Sequence, residues 1–462
     1  MHEHDRQRKP VRFDYDFTRG EEVGGSEDHY WIDDKRVSRA FGRALPAKLA
    51  DLIDIAMAVY YADRRSQRSR DHYSLTGRRE ISVRLALREV DLWGMGELQG
   101  KLSDLLYWYT EDDWVFSFVA RESESRSESE SYLMELGVKQ PSRTVLFSGG
   151  LDSLAGLCDQ LQKHPLDSFI LVSGYTHPRL LERQASLVSG LRLSLGNEPR
   201  ELLSIRVPFG VDRSQGRGTE ESSQRSRGFL YLVLGAVVAN MAGAHSLSAC
   251  ENGVGSINLP LHEGQLGVDN TRGVHPISLI RMNEFLRMVL EQPPEIVNPF
   301  QFSTKGEMCR SLHQRDLSQL GRKTVSCDAF PLRITDAPAQ CGICTSCLLR
   351  RLALHAAGLP DPGDEYRFDI GESLLHLKEE HLHPVLAMLD QVDRLRTCLT
   401  SPSPWDALVV AFPDLALIRD QIARAERRRT YGIAADLVRM YTAYVEEWER
   451  FSDTIAPPLD TI

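Results

Sequence analysis

The sequence is short of long apolar runs, of disulfide-forming cysteines and of excess positive charge. Its longest apolar stretch, Phe229 to Met241, is interrupted by Tyr231, Gly235 and Asn240. A bilayer-spanning helix needs roughly 20 apolar residues, so this stretch reads as a buried helix and no membrane association is expected. The first twenty residues, MHEHDRQRKPVRFDYDFTRG, hold no apolar segment, so no signal peptide is expected. Eight cysteines in 462 residues are too few for a secreted disulfide framework. A cytoplasmic protein with free thiols is the expectation. Lys and Arg number 55 against 65 Asp and Glu, a net charge of −10. That balance disfavours nucleic acid as a bulk partner, and no direct DNA binding is expected.

What is present is ordinary globular composition, 42% hydrophobic and 26% charged. It suffices for a sizeable core and excludes wholesale disorder. At about 150 residues per domain, the length allows two or three domains. Residues 1–120 form one compositional unit. Leu49, Leu52, Ile53, Ala56 and Tyr60 recur at helical spacing, and Trp114 to Ala120 has strand composition, so the unit reads as α+β. Arg121 to Glu130 holds only Ser, Glu and Arg, marking residues 121–140 as a loop, linker or interaction segment. Beyond it, Arg143–Phe147, Asp167–Ser173, Leu203–Pro208 and His245–Cys250 read as strands. Helical stretches at 153–163, 178–190 and 225–243 separate them. This alternation predicts an α/β unit over 141–366 built on a parallel sheet, which binds ligands at the carboxyl ends of its strands. Residues 367–462 read as a helical extension, with long patterned stretches at Gly371–Leu389 and Leu415–Trp448.

The first strand of that unit runs into Ser148-Gly149-Gly150-Leu151-Asp152-Ser153, and a helix follows. Adjacent glycines permit positive φ and clear the side chains that would block a phosphate. Successive N–H groups and the following helix N-terminus can then cradle an anion. Ser148 and Ser153 add hydroxyls, while Asp152 reaches a metal or orients the loop. No Gly-Lys-Ser/Thr follows, so a Walker-type triphosphatase is not indicated. A second cluster is Cys327 with Cys341-Gly-Ile-Cys344-Thr-Ser-Cys347, fourteen residues downstream. Four thiolates at this spacing favour a closed tetrahedral zinc site of structural type. Spacing alone leaves an iron–sulfur cluster open. Cys158, Cys250, Cys309 and Cys398 stand singly and read as small core residues.

The Ser148–Ser153 string resembles the pyrophosphatase (PP) loop of the adenine nucleotide α-hydrolase-like enzymes. Both motifs in this order resemble the 7-cyano-7-deazaguanine synthase (QueC) family. So do Leu348-Leu-Arg-Arg351, Ala357-Gly-Leu-Pro-Asp361-Pro362, Tyr366 and Arg227-Gly-Phe229, over roughly residues 142–366. Two family segments differ: Gly174-Tyr-Thr-His177 follows the second strand, and Cys250-Glu-Asn-Gly-Val254 follows the fourth. The added terminal regions resemble the larger QueC-like proteins of bacterial anti-phage systems, those of the Qat system above all.

The resemblance implies a PP-loop core that uses ATP and magnesium to adenylate 7-carboxy-7-deazaguanine. Residues 148–153 would hold the pyrophosphate, Arg227 and Lys305 would contact phosphate or the adenylate, and zinc would sit on the four cysteines. Glu251 and Asn252, past a strand end, would read the base, with His177, Arg179 and His275 as acid–base or pocket groups. In the defence-associated relatives the expected acceptor is the N-terminal amine of a small partner protein from the same operon, with a homodimer also open. Two other readings stand beside it: ammonia-dependent synthesis of the amide or nitrile, and a non-enzymatic scaffold.

Overall fold

The computed structural model describes residues 11–18, 30–68, 78–122, 142–196, 201–211, 221, 223–261, 271–314, 317–334, 336–368, 370 and 379–455. Most of the Ser/Glu-rich run, the Gly371–Lys378 part of the first C-terminal pattern, and the tail after Ile455 lie outside them.

The amino-terminal elements are β1 (Val11–Phe17), β2 (Tyr30–Ile32), α1 (Lys35–Phe41), α2 (Ala47–Arg65), β3 (Arg79–Leu87), α3 (Val90–Trp93), α4 (Gly96–Thr110) and β4 (Asp113–Ala120). The middle comprises β5 (Ser142–Leu146), α5 (Leu151–Lys163), β6 (Ser168–Tyr175), α6 (Pro178–Leu195), β7 (Leu202–Val211), α7 (Arg227–Met241), β8 (Ser246–Ser248), α8 (Gly253–Ile257), α9 (Pro276–Val289), β9 (Glu295–Val297), α10 (Lys305–Gln314), α11 (Ser318–Lys323) and α12 (Thr345–Ala356). Among the described residues, four helices follow: α13 (Glu379–Leu399), α14 (Pro404–Ala411), α15 (Asp414–Ala425) and α16 (Thr430–Ile455). The expected α/β class with a helical carboxyl-terminal part is what the chain forms.

Two sheets organise these elements. β1, β3 and β4 form a parallel three-stranded sheet. The larger sheet has the order β2-β7-β6-β5-β8-β9; its last five strands are parallel, and β2 joins β7 antiparallel at one edge. The chain moves outward from β5 through β6 to β7, then returns to place β8 and β9 on the other side. Strand order therefore reverses at β5, and the turns after β5 and β8 flank a crevice at the carboxyl edge. Such reversals are where open α/β sheets bind ligands.

The central strands are buried on both faces, as a covered parallel sheet requires. Alternation divides them between two cores. Ile170 and Val172 face a cluster with α2, α4 and α7, whereas Phe169 and Leu171 face one with α5, α6, α10 and α12. The first of these clusters also takes in Ile81, Val83 and Leu85 of β3, so the amino-terminal elements share a core with the large sheet. This explains why α2 is buried all round from Leu49 to Asp63. Three of its acids find partners: Asp51 with Arg88, Asp54 with Arg88 and Arg121, and Asp63 with Arg79 and Ser226.

The carboxyl-terminal helices form a third cluster, with α8 and α12 packed into it. One expectation changes here. The pattern over Leu415–Trp448 is two helices, α15 and α16, separated at Glu426–Arg429, where Arg427 takes a left-handed φ of 53°. Among the described residues, no helix is long and apolar enough to cross a membrane.

Candidate functional site

The Ser148–Ser153 loop closes β5 and opens α5. Gly149 has φ +86°, in the region where a side chain is strained, and a Cβ there would press on Gln184 of α6 at 3.3 Å. Gly150 is the N-cap of α5 and supplies no side-chain cap. The first N–H groups of the helix therefore lack the side-chain acceptor a Ser or Asp cap would give. The Gly149 and Gly150 N–H groups donate to Ser153 Oγ and Ser148 Oγ, each at 3.2 Å. These are long bonds to neutral hydroxyls, which a phosphate oxygen can replace with shorter, charge-assisted ones. Ser153 Oγ also donates to Gly150 O at 2.9 Å and stiffens the turn.

Three further expected residues converge on the loop. Lys305, the first residue of α10, places Nζ 2.6 Å from Asp152 Oδ2. The Asn252 side chain donates to Asp152 Oδ1 and to Glu251 Oε1, both at 2.9 Å. Its oxygen accepts from Gly255 N at 2.8 Å, which caps α8. The loop and Glu251 thus come from the two strands that flank the reversal, and the lysine from a helix about 150 residues downstream. Asp152 by itself would repel phosphate; Lys305 cancels that charge. Burial works to lower the Lys305 pKa, but Asp152 and Glu251 outweigh it and hold the ammonium above its ordinary value. Burial, then the Asp152 charge, push the Glu251 carboxyl up to about 8.

The contacts of the expected base-reading and loop residues are shared. Asn252 is engaged by Asp152, Glu251 and Gly255, and Glu251 faces the same cluster. Both lie in the loop's polar network. Asp152 has one oxygen on Lys305 and the other on Asn252, contacts that hold the orientation of the loop.

Glu251 yields a pH prediction. Its folded pKa lies above the unfolded one, so the native state binds the extra proton. That stability is present below about pH 4.5 and lost as pH rises towards 8. Between pH 5 and 8.5 the wild type should lose roughly 3–4 kcal/mol relative to Glu251→Gln. Parallel melting curves for the two proteins would refute the half-buried, protonated carboxyl.

The remaining expected residues lie elsewhere. Arg227 opens α7, whose return to β8 puts that end at the carboxyl edge; it is exposed and bonds Gln224 Oε1 at 3.1 Å. His177 caps α6, its Nδ1 accepting from Arg179 N at 3.2 Å. Arg179 donates to the carbonyls of Pro331 and Ile334 and lies over the Phe330 ring at 4.7 Å, tying α6 to the cysteine segment. His275 caps α9 from a buried position against Trp108 of α4, ring centroids 5.3 Å apart. Burial and Arg272 push its pKa down to about 3, which keeps it neutral at its capping position.

Sequence spacing carries no sign of Arg183 and Gln184. Gln184 is buried and its amide donates to Ser148 O and Gly174 O, both at 3.3 Å, bracing the loop from α6. Arg183 donates to Lys323 O at 2.8 Å; burial and the nearby Arg179 and Arg350 charges lower its pKa. It adds positive potential beside Gly149. Their signal is spatial, because both lie on the first turns of a helix that leaves β6 next to the loop.

The four clustered cysteines come together. The sulfurs of Cys327, Cys341, Cys344 and Cys347 all lie within 4.8 Å of one another, and Cys341 and Cys347 are 3.9 Å apart. Tetrahedral zinc with Zn–S near 2.3 Å needs sulfurs about 3.8 Å apart. The set therefore fits one four-coordinate ion, whereas an iron–sulfur cubane puts each thiolate on a different iron and spreads the sulfurs further. Gly342 takes φ +91°, and a Cβ there would collide with the Phe368 carbonyl. Backbone N–H groups of Cys341 and Cys344 point at Cys327 Sγ and Cys341 Sγ, at 3.4 and 3.3 Å. The site is closed, which suits a structural ion, and it abuts the loop: the Val325 carbonyl lies 3.7 Å from where a Gly150 Cβ would stand.

The string beyond the cysteines is a clamp for the same region. Arg350 is fully buried and donates to Tyr366 Oη, Thr324 Oγ1 and Gly321 O. Tyr366 donates to Asp361, which pairs with Arg351 at 3.2 Å. The single cysteines Cys158, Cys250, Cys309 and Cys398 are buried, and desolvation holds the Cys309 thiol up at about 12. No protein-family model and no curated protein matches the chain.

Proposed function

We propose that this chain is an ATP-dependent C–N ligase. It would adenylate 7-carboxy-7-deazaguanine and transfer the acyl group to the N-terminal amine of a small partner protein in anti-phage defence. One observation carries the catalytic part: the Ser148–Ser153 loop, uncapped at α5, meets Lys305, Glu251 and Asn252 at the point where strand order reverses. The choice of acid and acceptor rests on the motif resemblance to QueC-like proteins of the Qat system.

In the first step a carboxylate oxygen attacks the α-phosphorus of ATP. The bond to the bridging oxygen breaks and pyrophosphate leaves. Negative charge grows on the departing phosphates, where loop N–H groups, the helix N-terminus and Lys305 can stabilise it without reorganising. Magnesium, bound with the phosphates, supplies further charge neutralisation. Asp152 and Glu251 are the nearest carboxylates, but Lys305 and Asn252 already engage Asp152, so the phosphate oxygens are the more suitable magnesium ligands. In the second step the amine attacks the acyl carbon, the C–O bond to AMP breaks, and the nitrogen gives up one proton. Glu251, titrating near 8, is suited to exchange that proton. Zinc on the four cysteines holds the segment that borders the loop and takes no part in either step.

The test is mass spectrometry of the protein with ATP, magnesium and 7-carboxy-7-deazaguanine, with either ammonium or the proteins encoded beside it. The proposal predicts a base-sized mass increment on a partner's N-terminus that requires both ATP and the carboxylate. Free amide or nitrile with ammonium, and no protein adduct, would overturn the acceptor. No AMP under any condition would overturn the ligase and favour a scaffold.

A further inference from the structure

The carboxyl-terminal helix α16 reaches the loop cluster through the residues that start α10. Thr304 and Glu307 form a capping box: Glu307 N donates to Thr304 Oγ1 at 3.1 Å, and Thr304 N donates to Glu307 Oε2 at 2.9 Å. Lys305 sits inside this box. Two residues of α16 grip both halves of it. Glu447, only 2% exposed, accepts from Thr304 Oγ1 at 2.6 Å. Arg439 forks onto the two Glu307 oxygens at 2.6 and 3.3 Å and donates to Phe302 O as well. Gly306 is tied to the same contact, since a Cβ there would stand 2.5 Å from Glu447 Oε1 and 2.8 Å from Ala356. On the other side, Gly253 N donates to Ser303 O at 2.7 Å, linking this turn to the α8 segment that carries Asn252.

We infer that α16 is a working part of the nucleotide site, in which Glu447 and Arg439 act as positioning residues that aim Lys305 at Asp152. Lys305 has four rotatable bonds and one charged contact. Its aim depends on where α10 begins and how the first turn is rotated. A buried carboxylate and a bidentate guanidinium from one rigid helix fix both, over 132 to 143 residues of sequence separation. The carboxyl-terminal extension is then required for the phosphate chemistry itself. This rests on the ligase reading only for its activity readout.

The variants are Thr304→Val, which removes the hydroxyl at nearly constant volume, and Arg439→Met, with Thr304→Ser and Arg439→Lys as conservative partners. Crystal structures and AMP-forming kinetics would be compared with the wild type. In the first two variants, Lys305 Nζ should leave Asp152 Oδ2. The kcat should fall by about 10²-fold, the loss typical of an ångström-scale misplacement, while KM for ATP stays within about threefold. Thr304→Ser should recover most of the kcat. If Lys305 stays on Asp152 in both disruptive variants, the inference is overturned whatever the activity does. An unchanged kcat in a variant whose Lys305 has swung away from Asp152 overturns it too. A wild type that forms no AMP overturns the ligase reading instead, and the crystallographic comparison still decides the positioning.

Discussion

Replacing Lys305 with Met is expected to cut AMP formation by about 10²–10³-fold, the usual cost of removing one preorganised charge-stabilising group. It should also cost about 3–5 kcal/mol of stability, because a buried charge loses its partner. Lys305 is 8% exposed and its ammonium is the cation that offsets Asp152 in the loop. Without it, the Asp152 carboxylate loses its counter-charge. An incoming triphosphate would meet that uncompensated charge in place of a balanced cluster. Activity should therefore fall through kcat and through ATP affinity together. The α16-contact variants keep an ammonium near the cluster, so their ATP binding should suffer less than that of Lys305→Met. Steady-state kinetics alongside thermal melting checks both figures; near-wild-type turnover in Lys305→Met would remove the lysine from the site.

The other large effect should come from the cysteines. Replacing Cys344 with Ser, or stripping the metal with a chelator, is expected to cost on the order of 4 kcal/mol or more, since metal binding to such a site is folding free energy. Around the four sulfurs the local core is small: Ile334 is buried, with Val325, Ala329 and Phe330 partly buried against it. So few apolar contacts leave the Cys327–Ile334 stretch dependent on the ion. The Val325 carbonyl borders the glycine loop and Arg179 stacks on Phe330, so melting this segment should also disturb α6 and the loop. ATP turnover should fall with the metal and return when zinc is restored. Elemental analysis should give about one metal equivalent per chain. A metal-free protein that melts at the wild-type temperature would show that the four cysteines are only buried thiols.

Local sequence is enough for the parts of the site that are local. The glycine loop announces itself because a strand, two glycines and a helix start follow one another along a short stretch of chain. Two residues separate Cys341 from Cys344 and Cys344 from Cys347, and that spacing brings their sulfurs together. Four strands of the large sheet, β5 to β8, are readable for the same reason: each is a short apolar run bounded by helical pattern, whereas the three-residue strands β2 and β9 carry no such signal. Distant pairings are not readable. Nothing in Tyr30–Ile32 says that it will pair antiparallel with Phe209–Val211. Nothing near Lys305 names Asp152, and nothing near Thr304 names Glu447, 143 residues away. Asn252 is legible as a polar residue past a strand end, but its hydrogen bonds depend on the sheet order that brings the β5 and β8 turns together. His177 and His275 each stand one residue before a proline-led helix start, a capping position as readily as a catalytic one, and the chain alone does not distinguish the two.

The most direct test of adenylation at the Ser148–Ser153 loop follows the oxygen atoms. 7-Carboxy-7-deazaguanine labelled with oxygen-18 in its carboxylate would be turned over with ATP, magnesium and the amine acceptor, and the AMP released would be weighed. If a carboxylate oxygen attacks the α-phosphorus and is then left behind when the amine displaces AMP, one labelled oxygen must appear in AMP for each amide formed. AMP carrying that single label, formed far more slowly by Lys305→Met, is the predicted result. Unlabelled AMP would mean that water attacks the α-phosphorus, and ADP in its place would mean that the γ-phosphorus is the electrophile; either would contradict adenylation of the acid.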